Sequence, residues 1–342
     1  MSVVVVGFAH AHAHAHAHAH AHAITCKLDH YRALLFFLAL APVPAVAKPL
    51  TVAAAGDLDL GGSYARDPLV DLKSILDADV RFLNLESPIT DRGAATGFDA
   101  AGRPDGTPVR LGAPAARAAW LGGRVDVVSV ENNHARDQGD AGFADTLRAL
   151  AAHDVAFDHA RTRTTLTRRG RTVTFLARAW APDADLDAQA EITAAVVEAR
   201  RAGPVIVSLH WGHTGSLLPT AAQRRLAARL VDAGASAVLG HGPHAIQGIE
   251  LRRGAVVAYS LGNVAFGCRC TDARDAFALR FTLDAAGCAR DVTALPFSAG
   301  ILDPPKRSTD PGLFDLIASL SRDLGTRVRR DGDRLILTAP AP

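Results

Sequence analysis

Ser236-Ala237-Val238-Leu239, followed by Gly240-His241-Gly242-Pro243-His244, is the stretch from which the fold of this chain can be read. A short apolar run bounded by glycine and proline has the length and flanks of a buried strand rather than a helix. Just before it, residues 221–233 carry Leu226, Leu230 and Ala233 on one face and Arg224, Arg225 and Arg229 on the other. That is the spacing of an amphipathic helix, and Gly234 supplies its stop. Helix, strand and a loop bearing two imidazoles therefore form one unit.

The unit recurs. Strands are expected at residues 51–55, 80–85, 125–130, 205–209 and 236–239, with helical stretches at 69–76, 143–152, 188–202 and 221–233. This alternation points to a layered α/β fold. Each strand runs into polar residues: Gly56-Asp57-Leu58-Asp59, Asn84-Leu85-Glu86, Glu131-Asn132-Asn133-His134, His210-Trp211-Gly212-His213, and Gly240 to His244. Ligands in open α/β sheets collect outside the carboxyl ends of strands, where loops converge. The five strand ends read as one site. Taken singly, Asp57 would serve as a helix cap, Glu86 as a turn residue, Asn133 and His134 as a loop network, and His210 as a core histidine. Their joint occurrence is not explained that way. His213, His153 and His159 read as surface or neighbouring residues rather than ligands.

The donors are carboxylate and amide oxygen and imidazole nitrogen, with no thiolate, a set that suits Mn, Fe or Zn in an open site better than a structural zinc. They exceed what one four-coordinate ion needs. Two divalent metal ions about 3.5–4 Å apart, bridged by one carboxylate, would use them all and activate a water.

Composition narrows the field further. The chain has 342 residues, 49% hydrophobic, with 37 Lys and Arg against 35 Asp and Glu. Balanced charge without a like-charged block argues against a nucleic-acid partner, and the apolar fraction excludes disorder. Of fifteen histidines, seven lie in the alternating Ala-His run at 9–22 and one is His30. The run reads either as a metal-scavenging tract, which would suit a periplasmic metal-binding protein, or as a translated simple repeat ahead of the true start. Lys27, His30 and Arg32 precede the apolar run 33–40, which is shorter than the roughly 20 residues of a spanning helix. Ala45-Val46-Ala47 then completes the pattern of a signal peptide, with cleavage expected after Ala47 and export to the periplasm or beyond. An uncleaved signal would instead leave a membrane anchor. The expected organisation is 1–47 leader, 48–303 folded domain, and 304–342 C-terminal extension. Export permits a disulfide from Cys268 or Cys270 to Cys288, leaving one thiol over.

Six motifs carry a family resemblance: Ala55-Gly56-Asp57, Phe82-Leu83-Asn84-Leu85-Glu86-Ser87-Pro88, Asn132-Asn133-His134-Ala135, Ser208-Leu209-His210-Trp211-Gly212, Gly240 to His244 followed by Gln247-Gly248-Ile249-Glu250, and Tyr259-Ser260-Leu261-Gly262-Asn263. In this order the chain resembles the CapA family of capsule-synthesis, or poly-γ-glutamate synthesis, proteins, a branch of the calcineurin-like metallophosphoesterase superfamily. The resemblance implies a four-layer αββα sandwich of two mixed sheets, metallo-dependent phosphatase-like, with metals at the sheet edge. It implies Asp57 and His244 on one metal, Asn133, His210 and His241 on the other, and Glu86 in place of the bridging carboxylate. His134 would be the general acid that protonates the leaving group. The spacing of Asp137, three residues on, lets it orient that imidazole. Asp59 stands where the superfamily has a histidine, and either replaces it as an oxygen ligand or points away. Glu131 stands where the family usually has a small residue, and turned inward it would add negative charge.

The implied function is metal-dependent hydrolysis of a phosphoester, or of an amide or ester of a capsule-type or other envelope polymer, alongside a membrane synthase. The competing reading keeps the fold and drops the turnover: a polymer-binding or assembly factor. The Gly- and Pro-rich stretch 91–111 is expected to be a loop facing substrate. Strands at 277–283 and 292–295 are expected to finish the second sheet. Pro304-Pro305 then precedes a helix at 313–324 and a hairpin of 327–330 with 334–338 around Asp331-Gly332.

Overall fold

The computed structural model describes residues 49–93, 109–160, 162–181, 183–268, 271 and 273–340. The leader and Ala-His tract, Cys270 and most of the loop expected at 91–111 lie outside these residues. The first sheet begins with four parallel strands, β1 (Leu50–Asp59), β2 (Val80–Leu85), β3 (Val127–Ser129) and β4 (Ala156–Asp158). Between them come α1 (Leu72–Ile75) and α2 (Gly139–Ala152). The second sheet has the order β5-β6-β7-β8-β10-β9, built from β5 (Thr164–Arg168), β6 (Arg171–Ala179), β7 (Val205–His210), β8 (Ala237–His241), β9 (Ile249–Arg252) and β10 (Ala255–Ala258). Its helices are α3 (Ala190–Ala199) and α4 (Ala221–Ala233). Helix α4 has the expected bounds: Thr220 and Gln223 cap it reciprocally, and Gly234 closes it at φ 108°.

The chain then returns to the first sheet. Strand β11 (Asn263–Phe266) pairs parallel with the end of β1, and β12 (Asp275–Leu283) pairs antiparallel with its start. Strands β13 (Ala289–Ser298), β14 (Lys306–Arg307), β15 (Arg327–Asp331) and β16 (Arg334–Thr338) extend the same sheet, with α5 (Pro311–Arg322) between β14 and β15. The strands expected at 277–283 and 292–295 thus exist, but they belong to the first sheet and not the second. The reason is the open side of β1, whose residues Leu50 to Ala54 take Leu283 to Leu279 as antiparallel partners.

Alternation along the strands sorts side chains into layers. Val52, Ala54, Phe82 and Val127 face inward against Phe175, Ile206, Leu239 and Val256 of the other sheet, and α5 adds Phe314 and Ile317 to this core. Phe82 and Phe175 stack across it, centroids 5.8 Å apart. Ala53, Leu83 and Val128 face the other way onto Leu72 of α1 and Leu150 of α2. In the second sheet Leu176, Val207 and Val238 turn outward onto Ile192 and Val196 of α3 and Leu226 and Leu230 of α4. The result is helix, sheet, sheet, helix. Burial on both faces explains why the central strands read as continuous apolar runs. Full burial of each Leu, Ile, Val or Phe in these layers contributes about 1.5–3 kcal/mol. Cys268 and Cys288 each take part in a disulfide bond. Among the described residues no helix is long and apolar enough to cross a membrane.

Candidate metal centre

Parallel β1, β2 and β3 and parallel β6, β7 and β8 bring their carboxyl ends to one edge of the sandwich. Asp57 is fully buried there. Its Oδ1 accepts a hydrogen bond from Asn84 Nδ2 at 2.8 Å and its Oδ2 accepts one from Gly242 N at 3.1 Å. His241 Nδ1 stands 3.4 Å from Oδ1 and His244 Nδ1 3.3 Å from Oδ2. Burial alone would raise the Asp57 carboxyl, but the two imidazoles close beside it hold it well below the usual carboxylate range.

Glu86 is also fully buried. Its Oε1 lies 3.6 Å from His244 Nε2 and 4.0 Å from His134 Nε2. Burial, reinforced by the charges of Asp57 and Asp59 against the pull of His244 and His134, pushes its carboxyl up to about 8. His244 is moved up to about 9, because Glu86 and Asp57 outweigh the opposing effect of burial. His210 goes the other way: burial pushes it down to about 3, so its ring is neutral, the form that binds metal. His244 adopts φ 58°, an uncommon conformation for a residue other than glycine. Its ring is held by Asn263 Oδ1 at 3.0 Å from Nδ1 and by the edge of Phe266.

The unpaired atoms decide whether a cation fits. Both oxygens of Glu86, Oδ2 of Asp59, Nδ1 of His210 and both ring nitrogens of His241 are buried without a hydrogen-bond partner. Buried polar atoms normally find partners, and a cluster of unpaired oxygen and nitrogen donors is the chemistry a divalent cation satisfies. Ligand atoms of Asp57, Glu86 and His244 all lie within 4.8 Å of one another. The residues present therefore fit metal, with Glu86 central to the cluster.

The remaining expected residues take up distinct places. Asn133 is exposed and lines a cavity of about 290 Å³ together with His210 and His244. Its neighbour Asn132 is committed elsewhere: Nδ2 donates to Leu85 O and Asn84 Oδ1, and Oδ1 accepts from His134 N. Asn133 is thus the amide left available. His134 Nδ1 meets Asp137 Oδ2 at 2.7 Å, and this pairing raises the imidazole against the opposing effect of burial. Asp59 is buried, with Oδ1 accepting from Gly61 N at 2.7 Å, and burial raises its carboxyl. It does not join the Asp57–Glu86–His244 group. Glu131 Oε2 accepts from Ala160 N at 2.6 Å, so it is tied to the chain after β4. His213 is exposed beside Asp183.

Asn84, Asn132 and Asn263 carry the site's hydrogen-bond scaffold, and the sequence reading gave them no role. Asn84 had a signal: it shares strand parity with Glu86, two residues on. Gly242, at φ 102°, brings its N–H onto Asp57 where a Cβ would lie 3.0 Å from His210 Nε2.

A sequence profile described as bacterial capsule synthesis protein PGA_cap matches residues 46–268. The chain is 31% identical over 205 residues to the PGA biosynthesis protein CapA of Bacillus subtilis, covering 54% of each. It is 27% identical over 208 residues to the capsule biosynthesis protein CapA of Bacillus anthracis, covering 54% of this chain and 51% of the relative. It is also 27% identical over 257 residues to a probable polyglutamine synthesis accessory protein of Mycobacterium tuberculosis, covering 64% and 68%. The chain spans about half the length of the two Bacillus relatives. With the profile match extending over well more than half of its residues, and with the motif residues gathered at one sheet edge, this chain belongs to the bacterial capsule synthesis family PGA_cap.

Proposed function

We propose that this chain is an exported hydrolase of envelope-polymer synthesis. It would use two divalent cations to cleave a phosphoester, or an amide or ester bond of a capsule-type polymer such as poly-γ-glutamate. The observation that carries the reading is Glu86: a fully buried carboxylate with neither oxygen hydrogen-bonded, flanked by His244 and His134. A structural carboxylate buried this way would be costly. A carboxylate held for cations is not.

In this reading Asp57, Glu86 and His244 would hold one cation, and Glu86, Asn133, His210 and His241 would hold the other. Asp59 Oδ2 is a further buried oxygen without a hydrogen-bond partner. Bound there, the cations would polarise the scissile group, lower the pKa of a water, and stabilise developing negative charge. The chain's own groups do the rest. Asn84 and Gly242 fix both oxygens of Asp57, so its approach angle is set before metal arrives. Asn263 fixes the His244 ring. Asp137 holds the proton on His134 Nδ1 or receives it, leaving Nε2 turned toward Glu86 and positioned to deliver a proton to the leaving group. Export rests on the signal-peptide pattern of residues 33–47.

Elemental analysis of the purified protein, with a screen of phosphoesters and γ-glutamyl peptides, tests the proposal. About two Mn, Fe or Zn per chain and turnover lost in Asp57→Asn are expected. Equal hydrolysis by wild type and Asp57→Asn would remove this site from the chemistry. Polymer affinity without metal or turnover would instead favour the assembly-factor role, in keeping with a relative described as an accessory protein.

A further inference from the structure

The cavity at the mouth of the cluster has a wall that the metal chemistry does not use. Trp180 follows β6 directly, and its backbone N–H donates to His210 O at 3.0 Å, so the main chain at Trp180 is tied to the strand end that carries a ligand. Trp180 is partly buried against the outer core of the second sheet and is also among the residues that line the cavity. Around it stand small residues, Ala179, Ala181 and Gly212, with Asn133 and Thr214 as the uncharged polar groups. Among the described residues that line the cavity there is no Lys, Arg, Asp or Glu.

That wall selects by chemistry. Beyond His210 and His244, which belong to the cluster, the described lining residues offer no charged side chain to pair with an anionic segment. A segment with a carboxylate on every unit would lose hydration there without compensation. An uncharged ring loses little, and its apolar face gains the indole. A base held by stacking is usually gripped between two apolar or aromatic faces, and among the described lining residues outside the metal cluster Trp180 alone offers one. A sugar needs one such face and hydrogen-bond partners at its edge, which Asn133 and Thr214 provide.

We propose that this cavity seats a pyranose ring of the substrate against Trp180, so that the substrate is a glycosyl phosphoester or a sugar-bearing polymer end. The inference rests on the hydrolytic reading of the cluster and names the substrate class for it. Trp180 acts as a positioning residue, since it touches the ring and not the reacting bond.

The test uses the full chain with manganese, titrated with glucose 1-phosphate, uridine monophosphate and ring-free glycerol 3-phosphate. Affinity is read by calorimetry and by tryptophan fluorescence, in wild type, Trp180→Ala and Trp180→Phe. Wild type should bind glucose 1-phosphate about 10-fold more tightly than glycerol 3-phosphate, with the preference lost in Trp180→Ala and largely kept in Trp180→Phe. Where the sugar ester turns over, the alanine variant should raise KM and leave kcat within about 2-fold. Equal affinity for the two esters, a stronger preference for the uridine ester, equal weakening of all three by Trp180→Ala, or no binding at all would each overturn the proposal. Ring-selective binding without turnover would support the sugar seat and count against the hydrolytic reading alone.

Discussion

His134 Nδ1 lies 2.7 Å from Asp137 Oδ2, while Nε2 of the same ring faces Glu86 Oε1 at 4.0 Å. One nitrogen is fixed by a carboxylate and the other is turned to the cluster, the arrangement of a positioned acid with its orienter. Asp137 is itself held, because Oδ2 also accepts from Leu111 N at 2.6 Å. His134→Asn should therefore lower kcat about 10²- to 10⁴-fold while leaving metal content unchanged. Asp137→Asn keeps the shape but loses the charge, and should lower kcat by roughly 10-fold to 100-fold. Steady-state kinetics paired with metal analysis check both. Loss of metal in His134→Asn would make it a ligand instead.

Glu86 gives a prediction whose sign depends on metal. Without metal its buried carboxylate has no hydrogen-bond partner, so Glu86→Gln should raise the melting temperature of the chelator-treated protein by a few degrees. With manganese in excess, wild type should gain stability, about 2.7 kcal/mol at 100 times Kd, and the variant much less. The melting curves of the two proteins should cross over between chelator and metal. An undiminished manganese shift in Glu86→Gln would show that this carboxylate holds no cation.

Much of this site was legible because parallel strands deliver their last residues to one edge. Asp57, Glu86, His210, His241 and His244 each follow an apolar run, and finding the runs was enough to gather them. Asn84 was harder: its role comes from register, where Asp57, Asn84, Ser129 and Asp158 stand in one row across β1 to β4. Register between strands tens of residues apart is not written in either strand alone. Trp180 was missed with its strand. β6 opens as Arg171-Thr172-Val173-Thr174 and pairs with the half-exposed edge strand β5, so neither gives an uninterrupted apolar signal. β12 and β13 were found as strands but assigned to the wrong sheet, since the open side of β1 is a property of the fold.

Two glycines near the site admit no side chain. A Cβ on Gly56 would lie 1.7 Å from Gly262 O, and one on Gly240 would lie 1.9 Å from Tyr259 O. Both obstacles are backbone, and Gly262 O also accepts from Asp57 N at 2.9 Å. Gly56→Ala should cost about 2–3 kcal/mol or more and displace Asp57, so metal affinity falls along with stability. Gly123→Ala is a control of another kind, since nothing lies within 4 Å of its Cβ position and only its φ of 68° is strained. It should cost about 1–2 kcal/mol and leave metal affinity intact. Urea denaturation and manganese titration of the two variants separate these outcomes.

Asp158 closes β4 outside the ligand set. It is fully buried, and its Oδ2 has no partner. Burial pushes its carboxyl up to about 8, assisted by Glu131 and opposed by the Thr162 hydroxyl and Arg178. The folded protein thus holds this proton more tightly than the unfolded chain, where the ordinary value is 3.8. For a raised carboxyl the stability contribution is complete below the unfolded value and is lost as pH rises toward the folded one. Between pH 4 and 8 the loss approaches about 1.4 kcal/mol per pH unit for this group at most. Asp158→Asn keeps the neutral shape and does not titrate, so its advantage over wild type should grow as pH rises from 5 to 8.5. Because His244 and Glu86 titrate in both proteins, the difference between their urea midpoints at each pH isolates Asp158. Parallel pH profiles for the two proteins would mean that Asp158 is ionised in the fold, with its charge answered by Arg178.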